Sequence, residues 1–130
     1  MSEIPTDRLY SPEHVWVLFG GTGARVGITE FAQRALGELV FVRLRPVDSA
    51  VGTAASLGEV ESLKSTSEVY APIGGRVARL NSVLESRPEL VNSDPYGEGW
   101  LCELDVADDP GAVAGLLGAE EYRSRIEEGT

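Results

Sequence analysis

The chain has 130 residues, 42% hydrophobic and 25% charged, enough for one domain with a real core and not for two. Its 21 acidic residues against 11 basic ones leave a formal net charge of -10, which argues against nucleic acid and anionic membranes as partners and favours basic faces of other proteins. The single cysteine excludes an intramolecular disulfide, and no stretch approaches the ~20 apolar residues of a membrane span. The opening Met1-Ser2-Glu3-Ile4-Pro5 lacks the basic start and apolar run of a signal peptide, so the expected location is the cytoplasm.

Residues before Leu9 read as a loose leader. His14 to Phe19 is strand-like, and Gly20-Gly21-Thr22-Gly23 turns it back into a second strand, Ala24 to Ile28. Those glycines do not have phosphate-loop spacing, and turn chemistry accounts for them. Thr29 can cap a short helix with Glu30 in its first turn and Gly37 as its stop, Phe31 and Ala35 facing inward. Leu39 to Leu44 is another strand, with Val40, Val42 and Leu44 on the buried side, and Pro46 to Ser49 is a turn.

The most informative stretch runs from Gly58 to Pro72. Gly58, Val60 and Ser62 alternate with Glu59 and Glu61, and Val69 and Ala71 alternate with Glu68 and Tyr70, a period of two that describes two strands. The tip, Leu63-Lys64-Ser65-Thr66, has no Asn-Gly or Gly, which disfavours a two-residue primed turn and suits a longer loop. Lys64 is the only lysine of the chain, all other fixed positive side chains being arginines. A solvated turn residue left by composition bias is the plain explanation. Lysine, however, offers an amine that can be acylated or form a Schiff base, which arginine cannot.

After the hairpin, Arg76 to Leu80 is a short strand, and Asn81 to Gly99 reads as mostly loop. Trp100 to Asp105 is a strand in which Cys102 shares a face with Trp100 and Leu104, as buried filler and not as a nucleophile. Asp109-Pro110 starts a C-terminal helix, interrupted at Gly118 and resumed from Ala119 to Ile126. Short strands with a few short helices indicate a mainly β sandwich or barrel.

No catalytic centre assembles from these residues. His14 is the only histidine and has no evident triad partner, no cysteine or histidine pairs have metal-ligand spacing, and Glu59, Glu61, Glu68, Glu120 and Glu121 fit solvated edges and helix faces. The pattern is that of a protein acted upon.

Several blocks, in order, carry a specific resemblance. They are Tyr10-Ser11-Pro12-Glu13-His14 with Trp16-Val17; Val26-Gly27-Ile28-Thr29 with Ala32-Gln33, Leu36-Gly37 and Val40-Phe41-Val42; Val60-Glu61-Ser62 with Lys64 and Ser67; and Pro88 to Asn92 followed by Asp94 to Leu101. From about Tyr10 to Ile126 the chain resembles the H protein family of the glycine cleavage system. The resemblance implies a mainly β, barrel-sandwich hybrid fold with short helices, one of them C-terminal. It implies one lipoyl-carrier domain over 1–130, with a lipoyl-binding core at about 24–106, and lipoate amide-linked to Lys64.

The implied role is that of a non-catalytic carrier. It takes the aminomethyl group of glycine from the decarboxylating glycine dehydrogenase to the aminomethyltransferase, and dihydrolipoyl dehydrogenase then reoxidises it. A lipoylating enzyme is a further partner, and a monomer is expected. Other readings are an H-like protein that relays lipoate to other lipoyl proteins, a lipoyl domain of an acyltransferase complex, a biotin carrier and a plain interaction domain. The lipoyl domain would lack the loop before Trp100, and the biotin carrier would have methionines beside its lysine. One departure stands out. Val15 occupies a position where the family commonly has a glutamate near the loaded arm, which implies a looser hold on that arm unless Glu13 or another acid substitutes.

Overall fold

A computed structural model describes residues 4–21, 23–106 and 115–129. Alternation dictates most of it. Strand β2 (Val15–Gly20) turns through Gly21 into β3 (Gly23–Ile28), and the two pair along their length from Val15 opposite Ile28 to Gly20 opposite Gly23. β1 (Leu9–Tyr10) flanks β2. On the other side β3 pairs with β9 (Cys102–Val106), then β8 (Gly75–Leu80) and β5 (Ala50–Val51), giving a six-stranded antiparallel sheet in the order β1-β2-β3-β9-β8-β5. The second sheet has three antiparallel strands, β4 (Leu39–Leu44), β6 (Ser56–Ser62) and β7 (Thr66–Tyr70), in the order β4-β6-β7.

The side chains between the sheets form the main core. Val15, Val17, Val26 and Ile28 enter it from one sheet, and Leu57, Val60 and Val69 from the other. Because successive strand residues point to opposite faces, Trp16 faces away from this core while its neighbours face in. It is fully buried in a second, aromatic cluster with Ile4, Tyr10 and Tyr122. Gly27 sits opposite Trp16 and leaves the indole room, since a Cβ there would lie 2.5 Å from the ring. The indole N–H donates to the Pro95 carbonyl at 3.0 Å, and the Arg8 guanidinium lies 4.7 Å from the ring centroid. Helix α3 (Ala119–Gly129) closes the cluster by stacking Tyr122 on Tyr10, centroids 4.8 Å apart.

Helix α1 (Glu30–Leu36) begins as Thr29 predicts, its hydroxyl accepting the Ala32 N–H, and stops at Gly37. Its inward stripe differs from the expected one. Gln33 is buried, with Ala32 and Leu36 against the core, whereas Ala35 is exposed and Phe31 only half-buried. The spacing 29, 32, 33, 36 is the helical face that continues from buried Thr29.

Val40 is also misplaced by simple alternation. The register shifts between Leu39, which is opposite Ser62, and Phe41, which is opposite Glu61. Val40 is the extra residue of a β-bulge. Leu39 turns inward at 1% exposure, and Val40 and Phe41 both face solvent, at 42% and 45%.

The stretch from Asn81 to Gly99 is more ordered than its turn residues suggest. It holds a 3-10 turn over Ser82–Glu85 and a short helix α2 (Leu90–Ser93) that buries Leu90 and Val91. Trp100 precedes the last strand, which starts at Cys102. The helix start expected at Asp109-Pro110 lies outside the described residues.

Candidate functional site

The β6–β7 hairpin forms as alternation requires. Glu59 faces Glu68 and Glu61 faces Thr66 on the outer side, and Val60 and Ser67 point toward the core. A three-residue loop, Leu63 to Ser65, joins the strands. None of its residues has a positive φ, so the connection is not a primed turn.

Ser62 builds this tip. Its backbone N–H donates to the Ser65 carbonyl at 2.8 Å. Its buried hydroxyl accepts the Lys64 and Ser65 N–H groups at 3.3 and 3.1 Å and donates to the Ser65 carbonyl at 3.2 Å. One hydroxyl thus uses its donor and both acceptor sites, and the loop backbone has little freedom left. Leu63 and Lys64 project from it into solvent, Leu63 at 80% exposure.

The Lys64 stem lies beside Gly37. A Cβ on that glycine would come within 3.3 Å of Lys64 Cε and 3.8 Å of Nζ, and Gly37 has φ +86°, a region L side chains rarely adopt. Position 37 therefore combines backbone freedom with clearance for the lysine.

Asn92, from α2, fastens this shelf. Its side-chain oxygen accepts the Leu39 N–H at 2.9 Å, and its amide nitrogen donates to Gln33 Oε1 and to the Gly37 carbonyl, each at 2.8 Å. Four residues on, the Tyr96 hydroxyl accepts the Glu30 N–H at 3.0 Å. One loop thereby holds both ends of α1. Between α1 and α2 lies a groove of about 520 Å³, lined by Gln33, Gly37, Glu38, Glu89 and Asn92 among others.

The other candidate residues are not brought to the lysine as a catalytic set. His14 Nδ1 lies 2.8 Å from the Tyr122 hydroxyl, which is also 2.8 Å from Thr29 Oγ1, and its ring packs on Phe31. It joins β2, α1 and α3. Burial lowers its pKa; Glu13 opposes that shift and Arg125 adds to it. Cys102 is 1% exposed, and burial pushes its thiol up to about 12, so it is filler as expected.

Glu59 pairs with Arg43 at 3.0 Å, Glu68 accepts from Ser56 at 2.6 Å, and Glu121 accepts the Gly118 N–H at 3.1 Å. Val15 is 1% exposed and belongs to the main core, while Glu13 is exposed. Asn92, Gln33 and Tyr96 were missed as site residues. All three fall within the blocks that carry the resemblance, but their partners are distant in sequence, so no local pattern shows what they hold.

An amide-linked arm fits this tip. A primary amine stands on an anchored loop, open to a modifying enzyme, with a clear path along Gly37 and an open groove alongside.

Comparison with known proteins gives the family. Residues 8–129 match the family described as Glycine cleavage H-protein. A glycine cleavage system H protein of Mycolicibacterium gilvum is 54% identical over 129 residues, covering 97% of this chain and 98% of the relative. One from Mycobacterium tuberculosis is 49% identical over 134 residues, covering 98% and 100%. The crystal structure of a glycine cleavage system H protein from Mycobacterium marinum superposes with TM-score 0.86 at 40% identity, covering 95% of this chain and 99% of that one. The two sheets accordingly form a barrel-sandwich fold.

Proposed function

Since the chain belongs to the glycine cleavage H-protein family, a family of lipoyl carriers, we propose that Lys64 is its lipoyl attachment site and that the protein shuttles the aminomethyl group of glycine. On this reading it takes that group from the decarboxylating glycine dehydrogenase, delivers it to the aminomethyltransferase and returns through dihydrolipoyl dehydrogenase. The protein catalyses none of these steps. It works in the cytoplasm as one lipoyl-carrier domain, with its lipoyl-binding core at about 24–106. Among the described residues no helix is long and apolar enough to cross a membrane.

The observation that supports the reading most directly is the only lysine of the chain standing on a tip that Ser62 holds rigid. When bound, the lipoyl group supplies the sulfur pair on which the transfer and the redox cycle depend. The chain supplies the rest. The Ser62 hydrogen bonds keep the attachment point fixed relative to the docking surface, which raises the effective concentration of anything tethered there. Gly37 keeps the base of the arm unobstructed. Acylation also removes the Lys64 charge and leaves a still more acidic surface for basic partners.

Protein incubated with lipoate and a lipoate-attaching enzyme should gain one lipoyl mass, located on the Lys64 peptide by fragmentation. Folded protein that stays unmodified, or that carries the mass elsewhere, would refute the assignment.

A further inference from the structure

Val40, Phe41 and Leu63 form an unusual surface. An uninterrupted β4 would turn either Val40 or Phe41 inward, and the bulge turns both out. The register places them beside the lysine loop, because Leu39 is opposite Ser62 and Phe41 is opposite Glu61. Leu63, which precedes Lys64, is 80% exposed, and Val40 and Phe41 keep 42% and 45% of their surface open, the Phe41 ring carrying on one side the guanidinium of Arg43, itself paired with Glu59. Bulges re-aim side chains next to functional sites, and exposed apolar groups gathered at one place mark an interaction surface. Acidic residues adjoin the patch: Glu61 in the same cross-strand row as Phe41, and Glu38 one residue before β4. Both are exposed, in a chain of net charge -10.

We propose that this patch is the docking surface for the enzyme that acylates Lys64, a protein with an apolar depression and a basic rim at the mouth of its active site. The proposal rests on Lys64 being the lipoylation site. The occupant follows from reach. Enzymes that use the finished arm react at its far end. The acylating enzyme must bring its activated acyl donor to the bare lysine nitrogen. There the amide bond forms as the bond between carbonyl carbon and leaving group breaks, the leaving group keeping the electron pair and the amine proton passing to solvent. That geometry requires the enzyme to cover the residues around Lys64, which include its neighbour Leu63, with Val40 and Phe41 on the strand paired alongside.

The test uses full-length unlipoylated protein with lipoate, ATP and a purified lipoate-attaching enzyme. Leu63→Ser and Phe41→Ser should each raise the KM for the carrier roughly tenfold while kcat changes by less than about twofold, the signature of lost docking. Val47→Ser and Phe19→Ser replace comparably exposed apolar residues, 49% and 41%, away from the lysine loop; they should leave KM within about twofold. Unmodifiable Lys64→Arg protein should inhibit competitively, and the same protein with Leu63→Ser should inhibit far more weakly. Unchanged KM in both patch variants, or an equal rise in the Val47 and Phe19 controls, would overturn the docking surface alone. A wild-type protein that is never modified would overturn the carrier reading with it.

Discussion

The lysine hairpin and the aromatic cluster hold their residues in opposite ways. At the hairpin, the side chains that matter are exposed, and their positions are set by hydrogen bonds from Ser62 and Asn92. In the cluster, Tyr10, Trp16 and Tyr122 are fully buried and packed by ring contacts and apolar area, with hydrogen bonds only at their polar tips. Hydrogen bonds fix direction but add little net stability, whereas buried aromatic area adds much. The fold thus takes its stability from one region and its reactivity from the other, so changing one should leave the other largely intact.

The largest effect that would break or sharpen this contrast is at Lys64. Lys64→Arg should abolish lipoylation and support for glycine cleavage, while denaturant unfolding shifts by no more than ~0.5 kcal/mol, as for most exposed positions. Trp16→Ala should do the reverse. It should lose ~3–5 kcal/mol in the same titration, yet the molecules that remain folded should accept lipoate at an unchanged KM. If Trp16→Ala raised that KM, the two regions would be coupled and the division would fail.

These two substitutions also mark what the sequence made legible. Lys64 stands out because it is the only lysine and because the flanking alternation runs unbroken. The Val40 bulge was not legible, since nothing local distinguishes an inserted residue in an apolar run from a regular strand step. Reading Leu39 to Leu44 straight through put Val40 inside and concealed the apolar surface beside the tip. Phe31 and Ala35 were expected inward for their hydrophobicity, but the inward stripe follows Thr29 and includes the polar Gln33, whose partner is 59 residues away. Asn92 lies in a stretch full of turn signals, and only the tertiary fold brings it to Gly37 and Leu39. Val15 is legible both as a strand residue and as a departure from the family pattern. Its burial bears out the strand reading and means that Val15→Glu would place a carboxylate in the main core.

Asn92→Ala should give an intermediate effect and sharpen the comparison from the hairpin side. It strands the Leu39 N–H, the Gly37 carbonyl and Gln33 Oε1. Each buried group left unpaired costs about 1–3 kcal/mol, less where water can reach it. Unfolding titrations should show a loss within that range. Faster amide exchange confined to Leu39, whose N–H Asn92 accepts, would separate loosening of the shelf from global instability, and uniform change across both regions would contradict the hydrogen-bonded shelf.

The smallest expected effect is the pH response of the aromatic side. His14 sits among Glu13, Tyr122, Phe31 and Arg125, and burial lowers its pKa below the usual 6.5. The unfolded chain therefore takes up this proton more readily than the folded one. Its contribution to stability is fully present above pH 6.5 and is lost as pH falls through the lower folded value. On the alkaline side the sign reverses. Burial pushes both the Tyr122 phenol and the Cys102 thiol up to about 12, so stability they supply below their ordinary values of 10.0 and 9.0 is lost as pH rises toward 12.

Glu103 titrates in a separate acid range. Burial alone would raise it, but Arg25 and Arg79 outweigh that and hold it below 4.5. Thermal midpoints measured across pH should decline first just below 6.5, and His14→Gln should flatten that step while leaving the fall below 4.5 in place. An unchanged step in the variant would mean that the histidine between β2, α1 and α3 does not sense acid, and that the cluster is held by its ring contacts and its other hydrogen bonds.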